Sequence, residues 1–389
     1  MTRQPNAIDF WRGFALVTIF VNHIPGLFFE RFAHRNFSFS DSADLFVFLA
    51  GWALRLSIGG PEGFTSTGRV LTRLGGRVIT IYAAQLLLSS LAIAMLAGAA
   101  TYFEKPALLS WFNVAAIFYD PINAHLGLAM LTYQLGYFDI LPLYVVLMIA
   151  APLIVLIYRF APAALLPVSF FIYFWALVFE VSPPTWPTKG TWFFNPLAWQ
   201  FLFVLGFLFA GEEGPGGFVR RHQHRLMLIA APVLLAATLM VVFKWWPGAG
   251  DAPEPTLLFT VEKSYLTPIR LIQFLSLAVV FAGVYPHIAR PLPTLSEFLS
   301  LLGRNSLSVF CVASLLSVGF QILRFVYTPG IAMDTAILIA GIAILGFTAW
   351  VSEWRAARSS ARSAQPAVDA RQFALPLAGR ADARAPHQD

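Results

Sequence analysis

Ten apolar runs, each close to the 17 to 25 residues or so that a helix needs to cross a bilayer, dominate the sequence. They fall at 10–29, 41–58, 78–100, 138–160, 162–181, 196–213, 226–246, 265–287, 304–325 and 331–353. A soluble chain cannot shield that much apolar surface from water. Only 12% of the 389 residues are charged and 58% are hydrophobic, against about 25% charged in an ordinary soluble domain. The expected fold class is therefore all-α, a polytopic membrane helix bundle of about ten transmembrane helices within residues 1–355. Residues 356–389, rich in Ala, Arg, Pro and Asp, read as a disordered cytoplasmic tail. The aromatic segment 101–137, broken by Pro106 and Pro121, reads as an extramembrane or re-entrant excursion with one interfacial helix. Asp9 and Arg12 interrupt the first run and no small-residue cleavage site follows it, so it reads as an uncleaved first span.

The net charge of +6 does not mark a nucleic-acid binder, because the basic residues sit at the ends of the apolar runs. With the N-terminus inside, the inner segments receive Arg3, Arg12, Arg55, Arg69, Arg73, Arg77, Arg159, Arg220, Arg221, Arg225, Arg290, Arg304, Arg355 and the five arginines of the tail. That is 18 of the 26 basic residues, a bias strong enough to set an orientation with both termini cytoplasmic. Both ends inside requires an even number of spans, which ten satisfies.

Polar groups inside spans are costly and mark function, and the first span holds the most: Asp9, Arg12, Asn22 and His23. Arg12 and His23 are eleven residues apart, about three helical turns, which puts both on one face about 16 Å apart. Asp9 is three residues before Arg12 and is expected to pair with it. No metal-ligand spacing, dinucleotide fingerprint, phosphate loop or serine elbow is present in a credible context.

Arg12, ten residues and then His23 resemble the signature of the acyltransferase family 3 membrane enzymes. The surroundings are most similar to the OpgC-type succinyltransferases of osmoregulated periplasmic glucans. The stretches that carry this resemblance are AIDFWRGFALVTIFVNH (7–23), FSDSADLFVFLAGW (39–52), YFDILPLYVVLM (137–148), NPLAWQFLFVLG (195–206) and GRNSLSVF (303–310).

The resemblance implies a multi-pass enzyme of the bacterial inner membrane that takes an acyl group from cytoplasmic acyl-CoA to a sugar hydroxyl outside. Acyl-CoA, most simply succinyl-CoA, is then a co-substrate and no cofactor is bound permanently. The acceptor is a periplasmic glucan, and the glucan-synthesis machinery is a possible partner. His23 would be the general base or a transient acyl carrier. Arg12 would meet a CoA phosphate or fix the inner mouth, with Asp9 orienting it. Asn22 either packs or donates to an oxyanion. Asp139, opening the fourth run, would cap a helix, orient His23 or contact the glucan.

Asp41 reads as an N-cap and Asp44 as a first-turn acid favourable to the helix dipole, with Asp44 also a candidate contact to substrate. Trp199 and Gln200 suit sugar stacking and hydrogen bonding. Lys263 and Arg270, seven residues apart, suit the free carboxylate of a succinyl group. Asn305 and Ser306, at the start of the ninth run, suit a phosphate. Two other readings stay open: an acetyltransferase acting on another envelope glycan, and a secondary transporter of a polar solute.

Overall fold

The computed structural model describes residues 6–58, 67–245 and 252–364. Among them there is no strand, and fourteen α-helices carry the fold. In order these are α1 (Ala7–Asn22), α2 (Ser42–Ser57), α3 (Thr67–Tyr102), α4 (Ala116–Tyr119), α5 (Pro121–Ala129), α6 (Ile140–Phe160) and α7 (Pro162–Val178). Then come α8 (Pro196–Phe209), α9 (Gly214–Arg221), α10 (Gln223–Phe243), α11 (Pro268–Ala289), α12 (Pro293–Arg304), α13 (Ser306–Val326) and α14 (Ile331–Ala364). Each of the ten apolar runs contains one helix, while α4, α5, α9 and α12 are short additions between them.

Length and hydropathy separate the ten. Among the described residues, α3, α6, α10, α11, α13 and α14 are long and apolar enough to cross a membrane, which makes six. A seventh arises if α8 and α9, bent by 66° at their junction, are one broken span. Helices α1 and α2 have 16 residues each and α7 has 17, so at 1.5 Å per residue they reach only about 24 to 26 Å. The first run is shortened because α1 ends at Asn22, where the chain turns into two 3-10 segments, Phe28–Phe32 and His34–Asn36.

Local chemistry sets the ends. Asn6 accepts from the Asp9 N–H at the start of α1, and Asp41 and Asp44 form a capping box at the start of α2. Proline occupies the first turn of α5, α7, α8, α9, α11 and α12, where its missing N–H costs nothing. The excursion holds a 3-10 segment, Pro106–Asn113, followed by α4 and α5.

Two helix pairs are packed backbone to backbone. On α1 and α12, a Cβ at Gly13 would fall on the Leu299 carbonyl and one at Gly303 on the Asp9 carbonyl. On α2 and α8, Gly51 meets the Phe203 carbonyl and Gly206 the Phe48 carbonyl. In each pair one glycine from either helix permits the approach, the small-residue packing expected between helices in lipid. These contacts hold α1 and α2, the two short polar helices, inside the bundle, where most of their side chains are buried.

The chain divides into two units, Met1–Ala349 and Trp350–Asp389. The second is described through Ala364 and is helical there, with the Trp350 and Trp354 rings stacked and the Arg358 guanidinium 3.9 Å from the Trp354 ring centre. Residues 356–364, expected in the disordered tail, are therefore helical, and the rest of that tail lies outside the described residues.

Candidate active site

α1 delivers His23 at its C-terminal end. The His23 N–H bonds the Ile19 carbonyl at 2.9 Å and its own carbonyl accepts from Gln321 Nε2 at 2.5 Å, so the backbone is held from both sides. The ring opens on a cavity of about 390 Å³. α1 contributes Ile19, Asn22 and His23 to its wall, and the start of α2 contributes Asp41, Ser42 and Ala43. The approach to α6 adds Gly136, Tyr137, Asp139 and Ile140, and Arg35, Phe193, Phe194, Lys263 and Phe310 close it. The structure thus brings His23, Asn22, Asp139 and Lys263 together.

Asn22 is 5% exposed and its Oδ1 has no hydrogen-bond partner among the described residues. Asp139 precedes α6, makes no capping bond with its side chain and lines the cavity. Lys263 Nζ is 2.5 Å from Asp41 Oδ2 and lies 5.2 Å from the Phe194 ring centre. Arg35 pairs with Glu30. Burial of the Tyr133 phenol, outside the spans, pushes its pKa up to about 12, so it stays a donor, and it bonds the Asn113 carbonyl.

Arg12 lies elsewhere. It lines a second cavity of about 400 Å³ with Ala50, Leu54 and Ser57 of α2, Arg73 and Arg77 of α3, and Tyr144 and Met148 of α6. Its Nε is buried without a partner among the described residues. Both cavities use α1 and α2, towards opposite ends: residues 19–23 against 12, and 41–43 against 50–57; on α6 they take successive turns of its first half, 139–140 against 144–148. Ser42, in the wall of the first cavity, joins its hydroxyl to that of Thr18 at 2.5 Å, and the Tyr144 hydroxyl, from the wall of the second, donates to the Phe46 carbonyl at 2.7 Å.

Several expected site residues have other tasks. Asp9 does not pair with Arg12; its carboxylate takes the Asn6 side-chain amide at 2.6 Å, because the helix start offers a nearer donor. Arg270 and Asp44 hold each other, Nε to Oδ1 at 3.0 Å and a second N–H to Oδ2 at 2.5 Å, with exposures of 4% and 0%. A further Arg270 donor goes to the Phe39 carbonyl, so this guanidinium is spent within the protein and faces neither cavity.

Trp199 is fully buried, its indole N–H shared between the Lys263 and Ser264 carbonyls at 3.2 Å each, so it positions the Lys263 segment rather than presenting a face to sugar. Gln200 is taken up by Ser169, which it meets through both its oxygen (2.6 Å) and its nitrogen (2.9 Å). The Asn305 amide turns back to the Leu301 carbonyl at 3.0 Å, Ser306 is buried at the start of α13, and neither lines either cavity.

Sequence reasoning passed over Arg35, Tyr137, Phe193 and Phe194 as site residues. Tyr137 opens the stretch 137–148 that carries the family resemblance, and Phe193-Phe194 is an aromatic pair just ahead of Asn195-Pro196; Arg35 offered no local signal. Among the described residues no group of three His, Cys, Asp or Glu side chains converges as a metal site requires.

Apolar helices with a histidine, carboxylates and a lysine around one internal cavity define a class, a membrane-embedded protein with a built polar site. Residues 3–357 match the family described as OpgC protein, and the chain belongs to that family. This membership suggests an acyltransferase. No curated protein and no solved structure matches the chain.

Proposed function

We propose that this chain is an acyl-CoA-dependent O-acyltransferase of the acyltransferase family 3 type, moving a succinyl group to a hydroxyl of a periplasmic glucan. The observation that carries the reading is the pair of cavities towards opposite ends of α1 and α2, one holding His23 and the other Arg12. In this reading the ten helices of the apolar runs cross the inner membrane and both termini are cytoplasmic. The short α1, α2 and α7 count among them because a locally thinned bilayer or protein packing accommodates a deficit of a few ångströms.

The Arg12 cavity, with Arg73 and Arg77, takes the CoA phosphates, since guanidinium groups bind phosphate by paired hydrogen bonds. At the other end the glucan hydroxyl gives its proton to a neutral His23 ring nitrogen as its oxygen attacks the thioester carbonyl. The CoA thiolate leaves and is protonated in turn, so the acyl group ends on the sugar oxygen. In this reading Asn22 donates to the tetrahedral oxyanion, Asp139 orients His23 or the acceptor, and Lys263 meets the free succinyl carboxylate; their shared lining of the His23 cavity supports it. Acetyl transfer is the competing reading, favoured by the loss of Arg270 to Asp44.

Mass spectrometry of cell-envelope glucans with and without the gene decides among these. A succinate mass step that needs the gene is the expected result. An acetate step supports the competing reading, and glucans unchanged by loss of the gene reject both.

A further inference from the structure

Among the described residues, eight non-glycine residues have positive φ, between 50° and 65°. Five of them are accounted for by ordinary turns. Glu104, Leu131, Glu180, Lys244 and Leu266 each stand one residue before an N–H that bonds back five positions: Lys105 to Ala100, Thr132 to Gly127, Val181 to Ala176, Trp245 to Met240 and Thr267 to Glu262. That is the closure in which a left-handed residue commonly ends a helix.

The other three, Phe112 (54°), Asn113 (64°) and Tyr137 (65°), have no such closure among the described residues, and they gather in one place. The Gly136 N–H bonds the Phe112 carbonyl at 3.0 Å, the Phe112 and Tyr137 rings meet edge to face at 5.6 Å, and the Tyr133 hydroxyl holds the Asn113 carbonyl. A left-handed aromatic residue is disfavoured, and surroundings must over-determine it to keep it there. A turn needing only that φ would be served better by glycine. Glycine is present next door at 136, yet the positive φ falls on the tyrosine.

What this conformation delivers is the Tyr137 ring. It lines the His23 cavity, and its centre lies 4.6 Å from that of the His23 ring at a tilt of 39°. Among the described residues no side chain hydrogen-bonds the His23 imidazole. We propose that Tyr137 is a positioning residue whose ring, held in place by the Phe112–Asn113 clamp, sets the orientation of the His23 imidazole in the cavity. This rests on the reading of His23 as the catalytic base. A base whose proton acceptor must lie within hydrogen-bond reach of a bound hydroxyl needs its ring fixed, and a flat neighbour does that without consuming either ring nitrogen.

The test uses the full chain in lipid nanodiscs, with succinyl-CoA and glucan oligosaccharide, and compares Tyr137→Gly, Tyr137→Phe and His23→Ala with wild type. Tyr137→Gly is expected to fold, because relief of the left-handed backbone offsets part of the packing lost with the ring. Its kcat is expected to fall by roughly 10- to 100-fold, the scale of a small misplacement of a catalytic group, with KM for succinyl-CoA little changed. Tyr137→Phe keeps the ring and is expected to restore most of that loss. Independently of turnover, the His23 imidazole resonance, identified by its absence in His23→Ala, should carry a ring-current shift in wild type and Tyr137→Phe that vanishes in Tyr137→Gly.

Wild-type kcat in Tyr137→Gly beside an inactive His23→Ala would overturn the positioning role and leave the base intact. A Tyr137→Gly chain that fails to fold, or a Tyr137→Phe chain as impaired as Tyr137→Gly, would also overturn it. Wild-type activity in His23→Ala would instead remove the base on which the role depends.

Discussion

Arg270 illustrates how a single charged side chain divides its donors inside this protein. Two of its N–H groups are committed to Asp44 and a third to the Phe39 carbonyl, with Asp41 at 3.4 Å as a further anion. Removing one member of a buried ion pair leaves the other uncompensated, at a cost of about 3 to 5 kcal/mol. Arg270→Gln should therefore lower the unfolding temperature sharply and reduce succinyl-CoA and acetyl-CoA use in equal proportion per folded molecule. A loss confined to succinyl-CoA would return Arg270 to the substrate. Lys263 is the contrasting case, because it lines the cavity itself. Lys263→Gln should raise KM for succinyl-CoA by about tenfold or more, the worth of a charge-assisted hydrogen bond, and leave acetyl-CoA unaffected; steady-state kinetics with the two donors reads the difference. Spacing along the chain placed Lys263 and Arg270 two turns apart but was silent on Asp44, 226 residues away. Such pairings depend on tertiary contact, which no local pattern encodes, and the same holds for Tyr137, whose role rests on a backbone angle.

Among the elements, α1 and α2 carry the polar residues and depend on the two glycine-mediated crossings with α12 and α8. A methyl group at Gly13 or Gly206 would collide with backbone oxygen, which cannot rotate away as a side chain can. Gly13→Ala and Gly206→Ala should each destabilise by at least about 1 to 3 kcal/mol, read as early melting of the purified chain. Gly98→Ala on α3 meets nothing within 4 Å and should be neutral or slightly stabilising through helix propensity. Equal tolerance at all three positions would contradict the close packing. The long apolar helices were legible from hydropathy alone, since their composition leaves no alternative in water. The short helices α9 and α12 were not, because a helix of 8 or 12 residues falls below the length at which an apolar run announces itself. The crossing glycines were equally hidden, for glycine in an apolar run reads as filler until its partner is known.

For the molecule as a whole, the proposed orientation rests on the basic residues at the ends of the apolar runs. If the Arg12 end faces the cytoplasm, the arginines at 220, 221 and 225 lie there too, and a reporter fused after residue 222 should read cytoplasmic. A periplasmic signal would break both the span count and the placement of the donor side. The resemblance of ordered segments from the first run to the ninth was visible in the sequence, and the family match over 3–357 agrees with its OpgC part. The separation of Arg12 and His23 into two cavities required the structure, because spacing put both on one face. The most direct measurement is acyl transfer from succinyl-CoA to glucan oligosaccharide by the reconstituted full chain, wild type against His23→Ala. Loss of the general base should lower kcat by about 10²- to 10⁴-fold while the variant remains folded and inserted. Transfer by folded His23→Ala at the wild-type rate would contradict the central claim.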